Sequence, residues 1–117
     1  MKIFLSHSKD FDYKNQLYLP IKNHYKKDLF FLPEEHKINT KKIISECDVV
    51  FVEISNKGSF GSGIEIGWAD SFNKPIYCFY KKGTQISNSI KYLTDNIFAY
   101  NNIEELLKIM DKIIEKL

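Results

Sequence analysis

Short apolar segments alternate along the chain with longer segments in which apolar residues recur at helical spacing. The five apolar segments are residues 2–6, 29–32, 48–54, 75–80 and 96–100. Their apolar residues are consecutive, which is typical of strands buried on both faces of a parallel sheet. The segments that follow them predict helices over residues 13–27, 39–46, 63–73, 87–94 and 103–117. The pattern therefore predicts five strands that alternate with five helices.

Two of these helices carry additional signals. In the last helix, apolar residues lie at i, i+3, i+4 and i+7 spacing, and Asn102 and Glu105 suit an N-cap and its capping-box partner. In the first helix, Pro20 lacks the N–H group that a helix interior needs. We therefore expect the first helix to kink or restart near Pro20.

Strict alternation of strands and helices predicts an α/β fold. We expect one domain over residues 1–117, built on an open five-stranded parallel sheet of the Rossmann or flavodoxin-like type, with strand order 2-1-3-4-5. Ligands of such sheets bind outside the carboxyl ends of the strands, where strands 1 and 3 are neighbours. The residues that follow these two strands are therefore the candidates for a functional site.

Composition and charge narrow the choice of partners. The chain has 17 basic and 15 acidic side chains, and every basic residue is Lys. This near balance argues against a nucleic-acid polymer or a membrane surface, and without Arg a phosphate must be held by backbone N–H groups, hydroxyls or Lys. No apolar run approaches the roughly 20 residues of a membrane span, and no signal peptide precedes the first strand, so we expect a cytoplasmic protein. Cys47 and Cys78 are predicted to be buried, reduced thiols.

Polar side chains follow strand 1 at its carboxyl end, namely Ser6, His7, Ser8, Lys9 and Asp10. We expect Ser6 and Ser8 to contact a substrate or its phosphate, and His7 to contact the substrate. The three histidines of the chain are scattered, with no i, i+4 pair and no Cys partner. The pattern therefore indicates no metal site, and we expect no other cofactor.

The loop after strand 3 is rich in small residues. Gly58, Gly61 and Gly63 are interleaved with Ser59 and Ser62, and a helix follows at once. Small residues let the backbone approach a ligand, and a helix N-terminus offers unpaired N–H groups to an anion. The loop suits a phosphate, although a loop that only caps the helix would have the same composition.

Glu65 is predicted to lie in the first turn of that helix, where the macrodipole favours an ionised carboxylate. An acidic residue there often serves stability alone. Beside a bound sugar phosphate, however, an ionised carboxylate is able to attack or stabilise an oxocarbenium-like anomeric carbon.

Residues 48–76 resemble the nucleoside 2-deoxyribosyltransferase superfamily, and within it the 2'-deoxynucleoside 5'-phosphate N-hydrolases. Those enzymes carry a segment of the form S-x-G-x-G-x-E-x-G-x-A, followed by an N-K pair before the next strand. The positions that match it without a gap are Ser59, Gly61, Gly63, Glu65, Gly67, Ala69, Asn73 and Lys74. The likeness covers nearly the whole chain and is weaker outside this block.

The resemblance implies a parallel α/β fold, a homodimer and a set of site residues. It implies that Glu65 attacks or stabilises the anomeric carbon, and that Ser59 and the backbone of Gly61 hold the 5'-phosphate. A serine after strand 4 of the neighbouring subunit completes that site in the hydrolases, and Ser87 is the matching position.

One position departs from the family pattern. The family usually places an Asp eight residues before the Asp that opens strand 3, where it assists the base or leaving group, and this chain has Thr40 there. Asp10, Asp12 or His7 from the facing loop is a candidate to supply the proton instead.

These features favour a nucleotide N-glycosidase that cleaves or transfers the base–sugar bond of a (deoxy)nucleoside 5'-monophosphate. Two alternatives stay open. Residues 4–10 resemble the opening of TIR domains, some of which cleave NAD through a helix-borne Glu, although the block around Glu65 does not match that pattern. A domain that binds nucleotides without turnover is the other alternative, and Thr40 is its main support.

Overall fold

The structure is a computed structural model and describes residues 1–55 and 60–117. Its sheet has five parallel strands in the order β2-β1-β3-β4-β5, which confirms the predicted topology. The strands are β1 (Ile3–His7), β2 (Phe30–Phe31), β3 (Val49–Glu53), β4 (Ile76–Lys81) and β5 (Ile97–Tyr100). Because β1 and β3 are neighbours, the loops that follow them meet at one edge of the sheet.

Within the described residues, five α-helices cover the two faces of this sheet. They are α1 (Leu19–His24), α2 (Thr40–Glu46), α3 (Phe60–Ser71), α4 (Ile90–Leu93) and α5 (Ile103–Glu115). A π-helical turn (Lys14–Tyr18) precedes α1, and a 3₁₀ turn (Pro33–Glu35), which the sequence pattern did not predict, follows β2. The helix does not restart at Pro20, because the backbone angles of Tyr18 and Leu19 are helical; the expected disturbance is instead a change from π-helical to α-helical hydrogen bonding at Leu19, next to Pro20.

The sheet separates two apolar cores because successive strand residues point to opposite faces. On one face, β1 and β3 contribute Ile3, Leu5 and Phe51, which pack with residues of α1 and α5. On the other face, Phe4 and Val50 pack with residues of α2 and α3. The consecutive apolar runs in the sequence arise because both faces of the strands are covered.

Both cysteines lie in the second of these cores. Cys47 and Cys78 are buried and free, as predicted. Burial raises the pKa of the Cys47 thiol to about 11 and that of the Cys78 thiol to about 12. Both are therefore protonated near neutral pH, and neither is a nucleophile.

The ends of the helices differ from the prediction in one place that matters for the site. α3 begins at Phe60, three residues before the predicted start, so Glu65 lies in its second turn and the first-turn prediction was wrong. The first turn of the helix includes Gly61 and Gly63, although glycine has a low helix propensity. Ser62, between them, is buried and contacts β1, so tertiary packing overrides the local preference.

At the C-terminus, the predicted N-cap of α5 is confirmed. The side chain of Asn102 accepts a hydrogen bond from the backbone N–H of Glu105 at 2.9 Å. The Glu105 carboxylate accepts from the backbone N–H of Asn101 rather than from that of Asn102. Among the described residues, no helix is long and apolar enough to cross a membrane.

Candidate functional site

A carboxylate meets two hydroxyls where β1 packs against α3. The Ser6 hydroxyl donates to Oε1 of Glu65 at 2.8 Å, and the hydroxyl oxygens of Ser6 and Ser62 lie 3.3 Å apart. Ser6 is fully buried and, like Phe4, points to the face of the sheet that α3 covers. The structure thus brings together Ser6 and Glu65, two residues that are 59 positions apart in the sequence.

Burial is the main influence on the charge state of Glu65. It raises the pKa of Glu65 by disfavouring the ionised form, and the negative charge of Glu34 acts in the same direction. Hydrogen bonds from the side chains of Ser6 and Thr40 and the positive charge of Lys9 oppose this rise without cancelling it. The carboxylate is therefore harder to ionise than an ordinary Glu, in contrast to the expectation of a charge favoured by a helix N-terminus.

The structure places Thr40, whose role the sequence left open, at the start of α2 and next to Glu65. It is the first residue of α2, and Asn39 caps this helix by accepting from the backbone N–H of Lys41 at 3.0 Å. In this position the Thr40 hydroxyl interacts with Glu65. The position at which the resembling family has an Asp therefore still faces Glu65, with a neutral hydroxyl in place of a second carboxylate.

An ion pair that the sequence analysis missed lies at the same edge. Lys9 Nζ is 3.2 Å from a carboxylate oxygen of Glu34, and the side chain of Lys9 is 71% exposed. Both charges act on Glu65. The predicted strand order could have indicated this pair. Lys9 follows β1 and Glu34 follows β2, so both lie at the carboxyl edge of a parallel sheet.

His7 points to the opposite face of β1 from Ser6. Its ring is buried, and both of its nitrogens are engaged, Nδ1 with the carbonyl oxygen of Ser8 at 2.7 Å and Nε2 with the hydroxyl of Tyr18 at 2.6 Å. Burial lowers the pKa of His7, so the ring is neutral near pH 7. The structure therefore does not bring His7 together with Glu65.

The remaining candidates of the β1 loop differ in exposure. Ser8 is buried, and its hydroxyl oxygen accepts the backbone N–H of Asp10 at 3.0 Å. The Asp12 carboxylate accepts hydrogen bonds from the side-chain amide of Asn15. Asp10 is exposed, and within residues 1–55 and 60–117 no hydrogen bond or ion pair engages its carboxylate. Asp10 is thus the acidic group of this loop that is available to a ligand.

The predicted phosphate loop is described only from its helical end. Ser59 and Gly58 lie outside the described residues. Gly61 and Gly63 are exposed in the first turn of α3, and a Cβ atom added to either would meet no described heavy atom within 4 Å. Packing within the described part of the chain therefore does not require glycine at these two positions.

Ser87 lies after β4, in the turn that leads into α4. It is exposed, and its hydroxyl oxygen accepts the backbone N–H of Ser89 at 3.3 Å. Two large apolar side chains are exposed on helices of the same face of the sheet, Ile64 on α3 and Tyr92 on α4.

A second polar cluster at the carboxyl edge lies on the face of the sheet that α5 covers. The Glu53 carboxylate is buried and accepts from the backbone N–H of Ser55 at 2.6 Å, from the Ser55 hydroxyl at 2.9 Å and from the Tyr100 hydroxyl. These residues line a cavity of about 690 Å³ that also contacts Lys81 and Asn101. This cluster was not predicted from the sequence, although Glu53, an acidic residue inside the apolar run of strand 3, is a signal for it.

The fold and the carboxyl edge of the sheet define a class: a doubly wound parallel α/β domain with a partly buried carboxylate where its first strand packs against the helix that follows its third strand. The solved structure of the CMP N-glycosidase BcmB from Clostridium botulinum is similar to this chain, with a TM-score of 0.69 and 24% sequence identity, over 95% of this chain and 99% of that chain. The likeness confirms the fold that the sequence resemblance implied. No protein-family model matches the chain, and no curated protein matches it. Within the described residues, no group of three His, Cys, Asp or Glu side chains is placed to hold a metal ion.

Proposed function

We propose that this protein is a nucleotide N-glycosidase that cleaves the base–sugar bond of a (deoxy)nucleoside 5'-monophosphate, with Glu65 as the nucleophile. The observation that carries the proposal is the Glu65 carboxylate, held by the Ser6 hydroxyl at 2.8 Å beside the carboxyl edge of the sheet. The structurally similar CMP N-glycosidase and the resemblance around Glu65 support the same reaction class.

The proposed reaction uses Glu65 in its ionised form. The carboxylate attacks the anomeric carbon, the C–N bond breaks, and the bonding electron pair leaves with the base. Ser6 and Thr40 orient the carboxylate, since both interact with it through their hydroxyls. Water then hydrolyses the glycosyl ester and releases the sugar phosphate.

The departing base needs a proton, and Asp10 is our candidate for its donor. Asp10 is exposed in the loop after β1, and the Ser8 hydroxyl holds its backbone N–H group. The hydroxyls of Ser6 and Ser8 are buried, so in this proposal neither contacts the substrate directly. Ser8 positions Asp10 by holding the loop after β1, and Ser6 positions Glu65.

The phosphate is proposed to bind at the N-terminus of α3. Ser59, Gly61 and Gly63 would provide a hydroxyl and backbone N–H groups there, and a 12-residue helix contributes its positive end to an anion. Among the described residues, no heavy atom lies within 4 Å of a Cβ built at Gly61 or Gly63, which is consistent with close approach of a ligand. The proposal includes a homodimer in which Ser87 of one subunit completes the phosphate site of the other, and the exposed Ile64 and Tyr92 support an association of this face.

The acid side of the pH–rate profile provides a prediction. Because the pKa of Glu65 is raised, the rate should fall at a higher pH than expected for an ordinary Glu, whose pKa is about 4.3. Ser6→Ala removes a hydrogen bond that favours the ionised form of Glu65, so the acid limb of kcat/KM should move to still higher pH. Ser45→Ala, on the exposed side of α2, is the matched control and should leave the profile unchanged. If the acid limb of Ser6→Ala coincides with that of the unmodified protein, the hydrogen bond from Ser6 does not favour the ionised form of Glu65.

The experiment that tests the function is incubation with a panel of ligands, scored for released base by chromatography. The panel contains CMP, dCMP and the other nucleoside monophosphates, the matching nucleosides, and NAD. We expect free base from monophosphates and much less from nucleosides, since nucleosides lack the phosphate that α3 would bind. Release of nicotinamide from NAD alone would favour the TIR-like alternative, and binding without release would favour a non-catalytic nucleotide-binding domain.

A further inference from the structure

We propose that His7 is a positioning residue that ties the loop after β1 to the 3₁₀ turn after β2, and so holds the Lys9–Glu34 ion pair in place beside Glu65. The inference rests on the proposed function only in giving Glu65 a catalytic role. It replaces the proton-donor role for which His7 is a candidate from the sequence.

The hydrogen bonds of His7 determine its tautomer. The Ser8 carbonyl oxygen is only an acceptor, so Nδ1 carries the hydrogen and donates to it at 2.7 Å. In the neutral ring Nε2 is then an acceptor, and the Tyr18 hydroxyl donates to it at 2.6 Å. Burial raises the pKa of Tyr18, which keeps this hydroxyl protonated and able to donate.

The Tyr18 oxygen extends the connection to the 3₁₀ turn. It accepts the backbone N–H of Glu34 at 3.1 Å. A continuous chain of hydrogen bonds therefore runs from the Ser8 carbonyl through His7 and Tyr18 to the backbone of Glu34. Lys9 follows Ser8 directly, so the two ends of this chain carry the two partners of the ion pair.

The surroundings of His7 leave its ring little freedom. The rings of Phe11, Tyr13 and Tyr18 contact it, with centroid distances of 6.1, 4.7 and 5.0 Å. Among the described residues, the charges that act on it are those of Glu34 and Lys9. On β3 its register partner is Glu53, whose carboxylate is engaged by Ser55 and Tyr100. A ring that is enclosed on these sides with both nitrogens bonded is suited to a structural connection and not to proton exchange with a ligand.

The connection matters because the ion pair influences Glu65. Glu34 raises the pKa of Glu65 and Lys9 lowers it, and the effect of Glu34 is the larger of the two. The described charges that act on Glu65 are these two, and the neutral hydroxyls of Ser6 and Thr40 contact it from β1 and α2. Loosening the 3₁₀ turn should therefore weaken the Glu34 contribution and lower the pKa of Glu65.

Tyr18→Phe tests this connection, with Tyr13→Phe as a matched control. Both tyrosines contact the His7 ring, but only the Tyr18 hydroxyl bonds to it. We expect Tyr18→Phe to move the acid limb of kcat/KM for CMP to lower pH, because a looser 3₁₀ turn weakens the contribution of Glu34 to the raised pKa of Glu65. Tyr13→Phe should leave this limb unchanged. Equal kinetic effects of the two variants would overturn the proposal.

A measurement that does not depend on activity separates this inference from the proposed function. NMR titration of the Glu65 side-chain carboxyl carbon should give a lower midpoint in Tyr18→Phe than in Tyr13→Phe, and ¹⁵N NMR should find the His7 proton on Nδ1. Glu34→Gln, at a surface position, removes the charge directly and should lower the same midpoint. An unchanged midpoint in Tyr18→Phe or in Glu34→Gln, or a proton on Nε2, would overturn the proposal even if base release is observed. If the Glu65 titration midpoints shift as expected but no member of the ligand panel releases its base, the positioning role of His7 is retained and the proposed glycosidase activity is rejected.

Discussion

Glu65→Gln is expected to lower the rate of base release from the best monophosphate substrate by at least about 10³-fold. The amide keeps the size of the side chain, and its oxygen still accepts the Ser6 hydroxyl, which is 2.8 Å from Oε1 in the unmodified protein. It has no negative charge with which to attack the anomeric carbon. The loss should appear in kcat, while the Kd of the monophosphate, measured by calorimetry, should change little.

The same variant should be more stable than the unmodified protein at pH 7. Because burial raises the pKa of Glu65 in the folded state, its contribution favours folding below its unfolded pKa and is lost as pH rises through the folded value. Gln resembles the protonated form at every pH. The Tm of Glu65→Gln should therefore exceed that of the unmodified protein at pH 7, and the difference should shrink as the pH approaches 4.

Glu104→Gln is a suitable control, because Glu104 is an exposed residue of α5. It should leave turnover unchanged. Retention of more than about a tenth of the normal kcat in Glu65→Gln would remove Glu65 from the chemical step. A Tm at pH 7 below that of the unmodified protein would contradict the proposed cost of the buried charge.

The second large effect is expected when two defective variants are mixed. If Ser87 reaches the site of the partner subunit, a heterodimer of Glu65→Gln and Ser87→Ala chains has one site with both defects and one intact site. Ser87→Ala alone should lose about 10- to 100-fold in kcat/KM for a monophosphate, the effect of one hydrogen bond to a charged group. An equal mixture after subunit exchange should recover roughly a quarter of normal activity, since half of its dimers are mixed and half of their sites are intact.

A chain with both substitutions controls for this experiment. When it is mixed with the unmodified protein, heterodimers contain no intact site if the sites are shared, so about a quarter of all sites stay intact. If each chain formed its own site, about half would stay intact. Mass spectrometry should first confirm that subunits exchange. The shared site would then be rejected if the activity of the mixture is no higher than the average of the two single variants. A monomeric mass by light scattering at the assay concentration would also reject it.

The strand order followed from local patterns in the sequence. Consecutive apolar residues indicate strands that are covered on both faces, and alternation with helices leaves few topologies for a parallel sheet. The confirmed order places the ends of β1 and β3 side by side, so the sequence also located the edge at which Ser6 and Glu65 meet. The N-cap at Asn102 and a disturbance of the helix near Pro20 were predictable for the same reason, since each depends on a few adjacent residues.

The start of α3 was not predictable in this way. Glycine has a low helix propensity, so the sequence placed the first turn after Gly61. In the structure the helix begins at Phe60. Contacts between distant segments, such as that of Ser62 with Ser6, stabilise its first turn in addition to the helix propensity of the residues themselves. This change moves Glu65 from the first turn to the second and leaves burial as the main influence on its pKa.

Local sequence patterns and the family resemblance were sufficient to predict the class of fold, the edge of the sheet that carries the polar residues, and Glu65 as the candidate nucleophile. They did not predict that Ser6 faces Glu65 while its neighbour His7 faces Tyr18. Adjacent strand residues point to opposite faces, and which helix covers each face depends on the path of the whole chain. The pKa of Glu65 also depends on the fold, because burial, the hydroxyls of Ser6 and Thr40, and the charges of Lys9 and Glu34 act on a group that is remote from them in sequence.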